Sequence, residues 1–158
     1  MLKLNTKVTD TATGLKGTLT HLHIEMGGNQ SYCFQPVGLN PETRQPHVGL
    51  WLVAARIKGG VEIPTPSYLP MVILGTEVCD KHSGLKGMAI ALQLHLNGCV
   101  HVMVQPEGTL SNSKAPIEVA NLDVRRLTGK HVPKQTEEQI EESQQKRPSP
   151  AYAPPRPR

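Results

Sequence analysis

Ser83–Gly87 reads SGLKG, and seventy positions earlier Thr13–Gly17 reads TGLKG. The match does not stop at the pentapeptide. With the same shift and no gap, Leu4, Thr6, Val8 and Asp10 meet Leu74, Thr76, Val78 and Asp80. Further on, Leu22, Gly28, Gln35 and Pro36 meet Leu92, Gly98, Gln105 and Pro106. The register continues through Pro46/Pro116, Leu52/Leu122, Arg56/Arg126 and Ile57/Leu127. Chance does not hold register over such a span, so one module has been written twice. Units of this size are near the lower limit for independent folding and carry thin cores.

The shared pattern is that of strands. Thr18, Thr20, Leu22 and Ile24 alternate with Leu19, His21, His23 and Glu25, and Met88, Ile90, Leu92 and Leu94 occupy the matching places in the second copy. Period two marks a strand with one buried face, and the even positions are expected to face inward. MGGN and LNGC then close each run. Asn97-Gly98 is a hairpin signal in which both residues are expected at positive φ. The return strands carry Tyr32 and Phe34, or Val102 and Val104, on the inner face. A long loop follows each QP, and a last apolar run ends at Arg56-Ile57 or Arg126-Leu127.

The repeated pentapeptide reads as the turn between the first two strands. Asp10 and Asp80 are suited to cap backbone N–H groups in Asx-turns, and Gly14 and Gly84 to take positive φ. Gly17 and Gly87 are expected where the next strand bends. Turn chemistry explains these residues; the sharper alternative is a ligand-binding turn contacted by Lys16 and Lys86.

Composition agrees. Of 158 residues 37% are hydrophobic and only 3% aromatic, so Leu, Val, Ile and Met must build the core, while 14 Gly and 14 Pro favour short strands and turns. The expected fold is all-β: two tandem SH3-like small β-barrels with an extended C-terminal arm. Residues 1–57 form the first barrel, 58–73 a Gly/Pro linker, 74–127 the second barrel, and 128–158 a polar segment and Pro/Arg-rich arm. No window reaches the length of a membrane span, and the N-terminus has no signal-peptide core. Cys33, Cys79 and Cys99 are too few and too odd for a disulfide framework, which suggests a reducing cytoplasm.

No catalytic constellation emerges, and neither a phosphate-binding nor a nucleophile-elbow motif occurs. His21, His23 and Cys33 offer three zinc-type ligands on adjacent strands, but the second copy has Ala91, Gln93 and Met103 there, so the module does not need them. No enzyme activity, cofactor or metal is expected. The formal charge is +4, yet the excess lies outside the repeats. Lys7, Lys16, Arg44 and Arg56 nearly balance Asp10, Glu25 and Glu42, and the second copy balances fully. A barrel that tracks phosphates should itself be basic and present aromatics, so nucleic acid is not the expected partner.

Beyond the repeats, Lys134–Lys146 has no apolar stripe, and Arg147–Arg158 holds five prolines in twelve residues and favours polyproline II. It reads either as a free tail or as an arm that orders on a neighbouring subunit, anchored by Arg147, Tyr152, Arg156 and Arg158.

The pattern V-x-D-x-x-[TS]-G-L-K-G … L-N-G-C-V … V-Q-P resembles a family of short proteins of tailed bacteriophages, which typically carry one such module. CDKHSGLKGMAIALQLHLNGCVHVMVQP carries the fuller match, whereas the first copy has MGGN for LNGC. The glycine turn is also similar to the KOW turn of ribosomal and transcription proteins. The phage resemblance implies a virion protein made in the host cytoplasm. With the arm, it points to a capsid decoration, neck or tail-associated part whose partners are other virion proteins in a symmetric assembly, with no membrane. The rival is a small phage regulator that binds host protein or nucleic acid through a KOW-like barrel.

Overall fold

The computed structural model describes residues 1–111 and 113–133. They form ten strands in one antiparallel sheet system. The first repeat supplies β1 (Lys7–Asp10), β2 (Lys16–Glu25), β3 (Gln30–Pro36), β4 (Leu50–Val53) and β5 (Ile57–Gly59). The second supplies β6 (Glu77–Asp80), β7 (Lys86–His95), β8 (Val100–Pro106), β9 (Ala120–Asp123) and β10 (Leu127–Thr128). Each strand begins seventy residues after its counterpart. One-turn 3-10 helices at Ala54–Arg56 and Val124–Arg126 keep the same spacing.

The residues read as a linker are tied in from the start. Ile57–Gly59 runs two residues past the expected boundary and pairs with β1 as its edge strand. Lys3 N donates to Val61 O at 2.8 Å, and Leu2 bridges to Glu62. Leu69 and Ile73 are buried. Their apolar side chains explain why this Pro-rich span lies on the body of the protein: it brings its own share of the core.

The two repeats share a sheet. Along Lys16–Thr18, β2 is bordered by β1. Along His21–Glu25 the same edge is taken by β7, antiparallel, with His21 opposite His95 and Ile24 opposite Leu92. His23 faces Gln93, its own counterpart in the repeat. A pseudo-two-fold axis therefore passes between these two residues, and the tandem molecule is arranged as a symmetric pair within one chain.

A β-bulge makes this double use of β2 possible. The register with β3 slips between Leu19 and His21, and the slip recurs between Ala89 and Ala91. An extra residue flips the parity of the strand. Gly17 and Leu19 are buried before the bulge, and Leu22 and Ile24 after it. The expectation that all even positions face inward thus fails for Thr18 and Met88; Met88 is exposed. A bulge leaves no mark in an alternating pattern, because the shift in parity reads as a mixture of apolar and polar residues on both faces.

Buried side chains from both repeats, among them Leu22, Ile24, Phe34, Leu92, Val102 and Val104, join in one hydrophobic cluster. Leu92 is fully buried, and its strand position is opposite Ile24 at the seam. Leu92→Ala is expected to lower stability by about 2–4 kcal/mol. A urea midpoint equal to that of the parent protein would show that this seam carries no packing energy.

Candidate functional site

One repeated construction, and one that is not repeated, hold the chemistry of the molecule. The repeated construction is the pentapeptide turn. Asp10 is buried, and its carboxylate accepts from Ala12 N at 3.2 Å and Thr13 Oγ1 at 2.7 Å. Asp80 accepts from His82 N at 3.4 Å, Ser83 N at 3.1 Å and Ser83 Oγ at 2.6 Å. These are the Asx-type caps expected of the two aspartates. Each carboxylate also receives a fork that was not anticipated. Arg56 Nε and Nη2 reach Asp10 at 3.1 and 2.7 Å, and Arg126 reaches Asp80 at 3.1 and 2.6 Å. Bidentate charged bonds are the stronger kind. The guanidinium of Arg56, then the Thr13 hydroxyl, hold the Asp10 carboxyl down at about 2. Arg126 and Ser83 push Asp80 well below the usual carboxylate range.

The glycines of the turn divide by role. Gly14 and Gly84 both have φ of 72°. Gly17 and Gly87 serve close approach. They lie opposite Pro36 and Pro106, and a Cβ on either would run into the carbonyl oxygen of Gln35 or Gln105. The hairpins also differ from expectation. Gly98 has φ of 82° but Asn97 does not enter the left-handed region. Gly98 N donates to His95 O at 2.9 Å, and Cys99 N to Asn97 Oδ1 at 3.0 Å. This is a three-residue loop with glycine in the left-handed place, so only one of its residues needs positive φ.

Lys16 lines a shallow groove with Lys7 and Lys58. The second repeat has Glu77, Lys86 and Thr128 at these positions. Only the first repeat therefore gathers positive charge here.

The construction that is not repeated lies on the outer face across the seam. After the bulge, His21 and His23 point outward from β2. The ring of His21 meets that of His95 edge-on at 4.7 Å, and His95 meets His101 at 4.5 Å. Trp51, half exposed on β4, lies 6.4 Å from His21 and 5.9 Å from His23. Sequence reasoning passed over Trp51, although Asn121 at the matching place marks it as an addition to the module. His21 and Cys33 are cross-strand neighbours. Among the described residues, however, no three or more His, Cys, Asp or Glu side chains are placed to hold a metal ion.

Burial pushes the His21 and His95 imidazoles below their ordinary value, and neighbouring His101 and His21 add to the effect on His95. His95 Nε2 and His101 Nδ1 are buried without a hydrogen-bond partner. The charged groups nearby are Asp123, opposite His101 on β9, and Arg125, whose guanidinium is held by Asp123. Neutral rings suit the fold, so the unfolded chain takes up protons first as pH falls. Stability contributed by His21 and His95 is complete above the ordinary histidine pKa of about 6.5 and declines below it. Thermal midpoints measured from pH 7.5 to 5 should fall, and His95→Gln should flatten that fall. Equal slopes for parent and variant would rule the cluster out as the source.

Arg147, Tyr152, Arg156 and Arg158, read as anchors of the arm, lie outside the described residues. Among the described residues no helix is long and apolar enough to cross a membrane. Comparison with known proteins finds no matching family model, no matching curated protein and no matching solved structure.

Proposed function

We propose that the chain is a non-enzymatic structural component of a bacteriophage particle, a capsid decoration, neck or tail-associated protein. In this reading each repeat is an SH3-like small barrel that packs against neighbouring subunits, and the arm reaches across to the next chain. The order β5-β1-β2-β3-β4 in the first repeat, with a 3-10 turn between its last two strands, supports the barrel assignment. The observation that carries the assembly role is the β2–β7 seam. There the module joins its own copy by strand addition about a two-fold axis, which is how such units build larger arrays.

The outer edge of the first repeat suits the same task. β4 reads Leu-Trp-Leu-Val and pairs with β3 alone, with Leu50, Trp51 and Val53 exposed. β9, at the matching place, reads Ala-Asn-Leu-Asp. Polar and charged residues are the usual protection of a free edge, and β4 lacks them.

Mass spectrometry of particles purified from cells that make the protein is the direct test. Stoichiometric presence is expected; absence from particles while the protein is abundant in the cell would overturn the reading. Deleting residues 147–158 should leave the strands folded by circular dichroism and lower the occupancy on particles.

A further inference from the structure

We propose that the proline-rich segment Arg147–Arg158 docks on the aromatic ledge formed by Trp51, His21 and His23 of a neighbouring chain. The inference rests on the reading of that segment as a binding arm and names the surface that receives it.

The ledge is a feature of one repeat only. Where the first repeat has His21, His23, Trp51 and Val53, the second has Ala91, Gln93, Asn121 and Asp123. Duplication supplied two modules, but among the described residues only the first carries an aromatic ledge, and the Arg147–Arg158 segment occurs once after them. Trp51 is 50% exposed and Val53 55% exposed. The rings of His21 and His23 stand tilted or edge-on beside the indole, at 49° and 69° to it, so the indole is walled on the β2 side while half of the residue's surface stays in solvent.

The chemistry of the surface selects the occupant. A polyproline II strand presents rigid apolar ridges and little entropy to lose, and open aromatic surfaces are what it docks on. Arg147–Arg158 has five prolines and Tyr152. Its arginines find a carboxylate at hand, since Glu25 follows His23 on the same outward face of β2 and is exposed. Burial lowers the proton affinity of the His21 imidazole, so above neutral pH that ring adds no positive charge to repel those arginines.

Length permits the contact. The described chain ends at Pro133, and the thirteen residues from Lys134 to Lys146 can span up to about 45 Å when extended. That is comparable with the width of a domain of this size.

Trp51 is the only tryptophan in the sequence, so its fluorescence reports on the ledge alone. In the full chain, substituting Pro150, Pro154, Pro155 and Pro157 with Ala should red-shift the selectively excited emission and raise its quenching by acrylamide. A synthetic peptide of residues 147–158, added to that variant, should restore the parent spectrum. Identical quenching of parent and variant, or a peptide without effect on the variant, overturns the proposal. Particle occupancy of the same variant separates this claim from the one it rests on. Lost occupancy with unchanged quenching keeps the arm and rejects the ledge as its receptor. Changed quenching with full occupancy keeps the ledge contact and rejects the arm's role in assembly.

Discussion

Gly87→Ala should be among the most damaging single substitutions in the protein, although it adds one methyl group. A Cβ at Gly87 would overlap Gln105 O and stand 2.8 Å from Gln105 C and 2.9 Å from Pro106 Cα. All three atoms are backbone, held by the β7–β8 pairing in which Gly87 faces Pro106. A side chain can rotate out of the way; a paired strand cannot without giving up its ladder. Overpacking in cores costs about 1–3 kcal/mol, and a clash with backbone belongs at or beyond the top of that range. Against a total stability of about 5–15 kcal/mol, such a loss is a large fraction. Gly17→Ala meets the carbonyl of Gln35 and also the buried ring of Phe34, so it should be damaging for the same reason. Urea midpoints of both variants should therefore lie well below the parent's. A Gly87→Ala midpoint equal to the parent's would mean that β7 and β8 are further apart than described.

The duplication was legible because insertions never broke its register, and the strands followed from alternation in β7 and from the turn residues beside it. The bulge was not legible. Thr18 and Thr20 are tolerated on either face, so the sequence carries no penalty that would reveal the change of parity. The merging of two units into one sheet was hidden for a related reason. Ile24 and Leu92 look the same whether they cover a private core or a shared seam. The Asp–Arg forks were within reach. Arg56 and Arg126 keep the same 46-residue distance from Asp10 and Asp80, and a charged pair that recurs at fixed spacing in a duplicated module points to contact. Trp51 called for the opposite logic. It stands out because the repeat lacks it, so the search for shared residues passed it by.

Asp80→Asn should lower stability more than Leu92→Ala at neutral pH. The carboxylate of Asp80 joins three parts of the second repeat: the turn after β6, through His82 N, Ser83 N and Ser83 Oγ; the 3-10 turn before β10, through Arg126; and its own strand, which pairs with β10. An amide keeps one acceptor oxygen. Its NH2 group would face a guanidinium that can only donate, so one arm of the fork becomes repulsive as well as unbonded. Arg126 is partly exposed and can turn to water, so the damage lies in the lost closure between β6 and β10 rather than in a stranded charge. The same argument applies to Asp10 with Arg56. Both carboxyls are held below their unfolded value near 3.9. The unfolded chain therefore binds protons first on acidification. Their contribution is complete above about pH 4 and is lost as pH falls toward the folded value, about 2 for Asp10. The parent protein should lose stability steeply between those limits. Asp10→Asn and Asp80→Asn should each start from a lower midpoint at pH 7 and show a shallower acid limb. If both variants keep the parent's acid slope, other carboxylates govern acid unfolding and the two forks do not hold the repeats closed.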